Sequence, residues 1–271
     1  MAAAGYPKLT ISFLRSDTPD RYCTEYPDSQ WRLFTAPASG VHPPGGRRHG
    51  KYENGASILV LPEIFEAYWE SAGQYTRRKV RKALKEGYAF SVIDRDEHLD
   101  EIHAINTSLK ERQGRPMDEL YMKRPGPYGP LPNYTCPRHR IVTYGVLHGD
   151  VLVAYTVAYQ VGEMCVFSTI LGHGEHLNSG IMFLLVSETV RDLMNKAGLR
   201  FPMYNMHRGG TDGLRFFKEQ MGFKPYLVKW VMGDTKDPVR KLTRRGRLLV
   251  SSAGWTGRRV AHPVKQLVTH R

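Results

Sequence analysis

The sequence predicts an α/β protein, α+β in detail, with a mixed and mostly antiparallel sheet flanked by helices. Three observations predict it. Residues 141–147, 151–159 and 164–171 are consecutive strand-like runs, the first two joined by a His148-Gly149-Asp150 turn. A helix, a strand, a second helix and a last strand then alternate through 180–231. Upstream, residues 58–109 read as a β-α-α-β-α run.

Each element has a local reason. Residues 58–61 are a short apolar strand, and Pro62 suits the first turn of a helix that Gly73 ends after Ala72. Thr76 is the expected N-cap of the next helix, with Val80, Ala83 and Leu84 as its apolar stripe and Gly87 at its end. Residues 88–93 alternate as a strand. Asp96 is the expected cap of a helix carrying Leu99, Ile102, Ile105 and Leu109 at spacings of three and four. Between 114 and 139 six prolines and two glycines predict a loop without helix. Met182, Val186, Val190 and Leu193 mark the central helix at 180–197. A strand at 200–206, a helix at 212–221 with Asp212 as N-cap and a strand at 225–231 complete the chain's pattern. Residues 1–57 read as an irregular N-terminal segment, 58–234 as the folded domain and 235–271 as a basic tail.

The chain has 271 residues, 41% apolar and 24% charged, which suits a folded soluble protein and excludes wholesale disorder. Its 39 Lys and Arg against 26 Asp and Glu give +13, a balance that favours a polyanionic partner. The charge is localised. Residues 240–271 hold nine basic residues and no acid, leaving +4 for everything before them. Residues 76–87 hold six basic residues and one acid. The cysteines, Cys23, Cys136 and Cys165, are far apart and odd in number, which fits neither a disulfide framework nor a zinc site. With no signal-peptide pattern and no apolar run near the roughly 20 residues of a membrane span, a cytoplasmic protein is expected.

Two segments carry a family resemblance. Gly213-Leu214-Arg215-Phe216-Phe217-Lys218-Glu219-Gln220-Met221-Gly222-Phe223 resembles the "GL..FK..FG" segment of Fem-type transferases, and more loosely the closing helix and strand of GNAT N-acetyltransferases. Arg77-Arg78-Lys79-Val80-Arg81-Lys82-Ala83-Leu84-Lys85-Glu86-Gly87 is similar to the basic helix of the same Fem-like group. The resemblance implies a GNAT-like fold and N-acyl transfer. Its Fem-like form implies an aminoacyl-tRNA donor and an amine of a peptide or small molecule as acceptor, with no cofactor; its other form implies acetyl-CoA or another acyl-CoA. A third reading is a non-catalytic GNAT-like RNA-binding module.

Local residues bear on that choice. A CoA-binding GNAT holds pyrophosphate on a Gly-rich turn at the start of its central helix. The aligned stretch here is Leu177-Asn178-Ser179-Gly180-Ile181-Met182, in which only Gly180 survives. Asn178, Ser179 and Gly180 remain candidate substrate contacts. On the basic helix Arg77, Arg78, Lys79, Arg81 and Lys82 are candidate tRNA contacts, and a merely solvated basic face is the other reading. No GxSxG, HExxH or P-loop is present.

Aminolysis of an activated ester needs a neutral amine, a donor for the developing oxyanion and a proton for the leaving oxygen. Lys218, which the resemblance places near the reaction centre, is the first candidate. Tyr204 as acid, His207 as base and Asn205 as a binding residue cluster at a strand end, the usual site-bearing end of an α/β unit. His173 and His176, in the loop before the central helix, could touch substrate; no metal-ligand spacing is seen among the histidines, and no metal is expected. Arg112 and Arg115 flank Gly114 where they could reach an anionic acceptor. Tyr144, Tyr155 and Tyr159 read as sheet aromatics.

Overall fold

A computed structural model describes residues 5–14, 55–129, 138–196, 198–207 and 210–233. The basic tail, most of the Pro- and Gly-rich stretch at 36–55, and residues 130–137 lie outside the described residues. The chain begins with β1 (Lys8–Leu14), β2 (Ala56–Ile58), α1 (Phe65–Ser71), α2 (Gln74–Lys85) and β3 (Tyr88–Ile93). A 3-10 turn (Arg95–His98) leads into α3 (Leu99–Thr107), the short β4 (Glu111–Arg112) and β5 (Arg115–Pro116), and α4 (Glu119–Met122). Next come β6 (His139–His148), β7 (Val151–Val161), β8 (Met164–Gly172) and a second 3-10 stretch (Gly174–Ser179). α5 (Ile181–Met194), β9 (Phe201–Met206), α6 (Asp212–Gln220) and β10 (Lys224–Gly233) complete it.

Eight strands form one sheet in the order β1-β10-β2-β9-β8-β7-β6-β3. β1 with β10 and β8 with β9 are parallel, and the other neighbours antiparallel. This is the mixed, mostly antiparallel sheet that the sequence predicts. β7 lies inside it with residues 152–161 all buried, as expected of a strand whose near-continuous apolar run is covered on both faces. On one face Val80 and Ala83 of α2 and Leu184, Leu185 and Val190 of α5 pack over Val153 and Phe167. On the other, Ile102 and Ile105 of α3 pack against Tyr155, Val157 and Val166. Each fully buried aliphatic or aromatic side chain contributes about 1.5–3 kcal/mol relative to exposure.

Several local expectations are overturned by tertiary partners. The N-terminal segment is not irregular throughout, because Lys8–Leu14 forms β1, whose Leu9, Ile11 and Phe13 alternate with polar residues. α2 starts two residues before Thr76, with Gly73 as its N-cap; Thr76 is buried and donates to the Gln220 carbonyl at 2.8 Å. Leu84 is 54% exposed, so the inner face of α2 is Thr76, Val80 and Ala83. Asp94, not Asp96, caps the turn before α3; Asp96 instead accepts from Tyr128 N and Gly129 N at 3.0 and 3.1 Å. Thr211, not Asp212, caps α6, while Asp212 pairs with Arg215 at 2.6 Å. The Pro-rich region holds a short helix after all, α4, which Asp118 caps through Leu120 N. Tyr144, Tyr155 and Tyr159 are buried sheet aromatics, with Tyr144 donating to Asp192 and Tyr155 to Asn106.

Candidate active site

β8 and β9 run side by side only from Met164 and Phe201 to Val166 and Met203. Beyond that point they separate, although β8 continues to Gly172 and β9 to Met206. A cavity of about 510 Å³ opens in the gap. Residues 167–171 of β8, 204–206 of β9 and Lys218 of α6 form its floor and one wall; the β4–β5 hairpin and the residues up to Asp118 form the other. The hairpin turns on Gln113 and Gly114, both at positive φ (56° and 70°), as a two-residue turn of primed type requires.

Lys218 stands on the inward face of α6 with Leu214, Phe217 and Met221, at the spacing of one helical stripe. Only 1% of it is exposed. Its Nζ donates to the Met206 carbonyl at 2.6 Å and lies 4.8 Å from the centre of the Tyr204 ring. No carboxylate pairs with it among the described residues. Burial accordingly lowers its pKa from 10.5 to about 8. Tyr204 packs edge-on against Phe167, Phe217 and Phe223, and burial pushes its phenol well above the ordinary value, leaving a neutral hydroxyl.

Asn205 follows Tyr204 at φ 52°, one of two non-glycine residues at positive φ among the described residues, and both line this cavity. Gln113 has a turn to explain it; Asn205 sits in a strand. Its Oδ1 is buried with no hydrogen-bond partner among the described residues, an orphaned acceptor on a residue that lines the cavity. Arg112 is anchored through Nη2 to the Ile105 carbonyl (2.7 Å) and Ser108 Oγ (3.1 Å), while its Nε has no partner among the described residues. Arg115 also lines the cavity.

The other sequence candidates lie elsewhere. His207 does not line the cavity; its Nδ1 is 3.4 Å from Ser57 Oγ and its Nε2 3.9 Å from Glu219. The basic helix divides in two. Arg77 turns back onto α1 and donates to the carbonyls of Trp69, Glu70 and Ala72 at 3.0, 2.9 and 2.6 Å. Lys79 and Lys82 donate to the Asn178 carbonyl at 3.3 and 3.0 Å. Ser179 hydrogen-bonds Glu86, whose pKa this contact lowers first, with Lys82 adding to it. Gly180, at φ 89°, caps α5 where a Cβ would stand 2.5 Å from the Lys79 carbonyl. Asn178, Ser179 and Gly180 thus form a seam between α2 and α5, and none of them lines the cavity. Arg78, Arg81, Lys82 and Lys85 keep an exposed basic face. His173, Glu175 and His176 are the side chains among the described residues placed to hold a metal ion, and they too stand outside the cavity lining.

No protein-family profile and no curated protein sequence matches the chain. Solved structures do. FemX is similar at TM-score 0.50 and 12% identity, over 79% of this chain and 68% of that one. The C-terminal domain of a lysylphosphatidylglycerol synthetase from Agrobacterium fabrum is similar at TM-score 0.42 and 11% identity. That match covers 64% of this chain and 57% of the Agrobacterium chain, so just over half of the latter's length is spanned. A tandem GNAT protein from the clavulanic acid biosynthesis pathway is similar at TM-score 0.40 and 14% identity, over 82% and 73% of the two chains. The fold, a mixed and mostly antiparallel sheet flanked by helices, is similar to that of FemX. No helix among the described residues is long and apolar enough to cross a membrane.

Proposed function

We propose that this protein is an N-acyltransferase that moves an aminoacyl group from aminoacyl-tRNA to an amine of a peptide or small molecule. The observation that carries the reading is the buried, carboxylate-free Lys218 in the wall of a cavity between two separating strands. The neutral acceptor amine attacks the ester carbonyl, and the C–N bond forms as the carbonyl electrons move onto oxygen. The C–O bond to the tRNA ribose then breaks, and the proton lost by the amine ends on that ribose oxygen. The Lys218 ammonium, itself buried, stabilises the oxyanion as a preorganised donor, and such a charge counts most in surroundings of low dielectric. The Asn205 Oδ1 accepts an N–H of the incoming amine, and the Tyr204 hydroxyl donates to the departing oxygen. His207 has no part in this scheme.

Two features support RNA over CoA as the carrier. The backbone of α2 closes over Gly180, where a pyrophosphate would need to approach the start of α5. Beside it stands the exposed face of Arg78, Arg81 and Lys85, whose like charges a phosphate chain would relieve. Incubation with radiolabelled aminoacyl-tRNA or acetyl-CoA and a panel of amines tests the donor. Label is expected to pass from aminoacyl-tRNA; transfer from acetyl-CoA alone sinks the proposal.

Two further results are expected. The triple change Arg78→Ala, Arg81→Ala and Lys85→Ala lowers tRNA affinity and reduces the slope of log K against log salt by roughly 2, since each phosphate contact adds about 0.7 to 0.9. Arg77→Ala instead lowers stability by about 1 to 2 kcal/mol through three orphaned carbonyls, without changing that slope. Filter binding at several salt concentrations and thermal denaturation separate the two. Asn205→Gly relieves a left-handed backbone that costs an L-residue about 1 kcal/mol, so its Tm holds or rises. It also deletes the orphaned acceptor, and turnover is expected to fall at least about tenfold; unchanged turnover assigns Asn205 no role.

A further inference from the structure

We propose that His173, Glu175 and His176 form a site for a divalent transition-metal ion of the zinc class, on the turn that joins β8 to α5. Their donor atoms lie within 4.8 Å of one another. A tetrahedral ion with bonds of about 2.1 Å holds its ligands about 3.4 Å apart, so closure needs the donor atoms to approach by at most about 1.4 Å, a distance side-chain rotation can cover. The exposed Glu175 side chain supplies most of that freedom.

The backbone that presents these ligands is already fixed. His173 N donates to the Val153 carbonyl at 2.8 Å, Gly174 N to Ser108 Oγ at 3.0 Å and His176 N to the His173 carbonyl at 3.1 Å. His176 also has an outer partner of the kind that metal-binding histidines use. Its Nδ1 is 2.8 Å from the Tyr88 hydroxyl, and when Nδ1–H donates there, Nε2 carries the free lone pair. Tyr88 is itself held by stacking on His148, ring centres 4.6 Å apart. His173 Nδ1 is buried and has no hydrogen-bond partner among the described residues, a polar atom that a bound ion would satisfy. Two imidazoles and one carboxylate, with a position left for water, suit Zn²⁺, Co²⁺ or Ni²⁺ and not the all-oxygen preference of Mg²⁺ or Ca²⁺.

The sequence does not announce this site. His-x-x-His with an intervening Glu becomes a ligand set only because a 3-10 turn folds the three side chains to one side. An ion here ties the end of β8 to the turn carrying Asn178 and Gly180, on which α2 docks. The site is independent of the acyl-transfer reading, and its test uses no turnover.

Full-length protein, freed of metal with a chelator, is titrated with Zn²⁺ by calorimetry and followed by thermal denaturation. One ion per chain is expected at this site, with a rise in Tm at saturation. His173→Ala, His176→Ala and Glu175→Gln each weaken that event tenfold or more. His98→Ala, which removes an imidazole paired with Glu101 elsewhere on the surface, leaves it unchanged. Excess Mg²⁺ does not displace the Zn²⁺. Absence of Zn²⁺ binding, displacement by Mg²⁺, or equal Zn²⁺ affinity in the wild type and Glu175→Gln overturns the site. The exposed Glu175→Gln change decides the matter if either histidine variant fails to fold.

Discussion

Lys218→Met is expected to lower turnover by about 10² to 10³, the usual cost of removing one donor from a developing oxyanion. The substitution keeps the length of the side chain and removes its charge, so the loss reports chemistry rather than packing. Its effect on stability near neutral pH is small because two terms oppose. A buried ammonium with no counter-charge is removed, while the Met206 carbonyl loses its partner at a cost of about 1 to 3 kcal/mol. The pH dependence provides a second readout. In the folded protein Lys218 titrates at about 8, below its ordinary 10.5, so the unfolded chain binds more protons between those values. The desolvation penalty is therefore fully present below about pH 8 and is relieved as pH rises from 8 to 10.5. Its full size is on the order of 3 kcal/mol, at 1.36 kcal/mol per pKa unit. Denaturant titrations at pH 7 and pH 10 are expected to show wild type gaining stability relative to Lys218→Met at the higher pH. Turnover by wild type declines on an alkaline limb near pH 8, as the ammonium is lost, and the limb vanishes in the variant. Full turnover in Lys218→Met, or identical pH behaviour, makes Lys218 a structural residue.

Gly180→Ala is expected to cost about 3 kcal/mol of stability and to lower Tm by roughly 6 to 12 °C. An L-residue at φ 89° is strained by about 1 to 2 kcal/mol, and its Cβ also meets the Lys79 carbonyl, a backbone atom that can move only with α2. The seam then opens. Lys79 and Lys82 lose their hold on the Asn178 carbonyl, and the two helices over the central sheet separate. A glycine kept only for approach of a phosphate predicts a smaller loss, the roughly 1 to 2 kcal/mol of backbone strain alone, with anion binding lost. Thermal denaturation of the two proteins, with and without added phosphate, distinguishes the outcomes.

The candidate site was legible in the sequence to an uneven degree. Lys218 could be found twice over: by the Phe-Lys pair that resembles Fem-type proteins, and by its place on the stripe Leu214, Phe217, Lys218 and Met221, where a lysine among inward positions is out of pattern. Tyr204 and Asn205 followed from their place at a strand end. His207 follows the same rule and fails it, because it sits one residue past the end of β9 and turns to Ser57 and Glu219 instead. Arg112 and Gln113 carried one visible signal, a Gln-Gly turn, but what they face depends on a hairpin folding back over a sheet whose strands are far away in sequence. The basic helix gave its charge correctly, but not which of its basic side chains stay exposed. Counting residues on a helical wheel cannot say which arginine will find three open carbonyls at the end of the preceding helix.

Periodicity and turn chemistry alone determined the longer strands and helices from 56 to 233, and therefore the fold class, but not the short β4, β5 and α4 or the exact place of β2, which is 56–58 rather than 58–61. These are local properties, set within a few residues by side-chain alternation, glycine and proline. Caps, the seam at Gly180, the parting of β8 from β9, and the burial of a lysine without a carboxylate were decided by the tertiary structure. Each is a contact between segments far apart in sequence, such as Thr76 with Gln220 or Lys79 with Gly180. The chain's overall charge of +13 shows the same division. Composition establishes that the protein is basic, whereas folding decides that Arg77, Lys79 and Lys82 hold its own carbonyls while Arg78, Arg81 and Lys85 face outward.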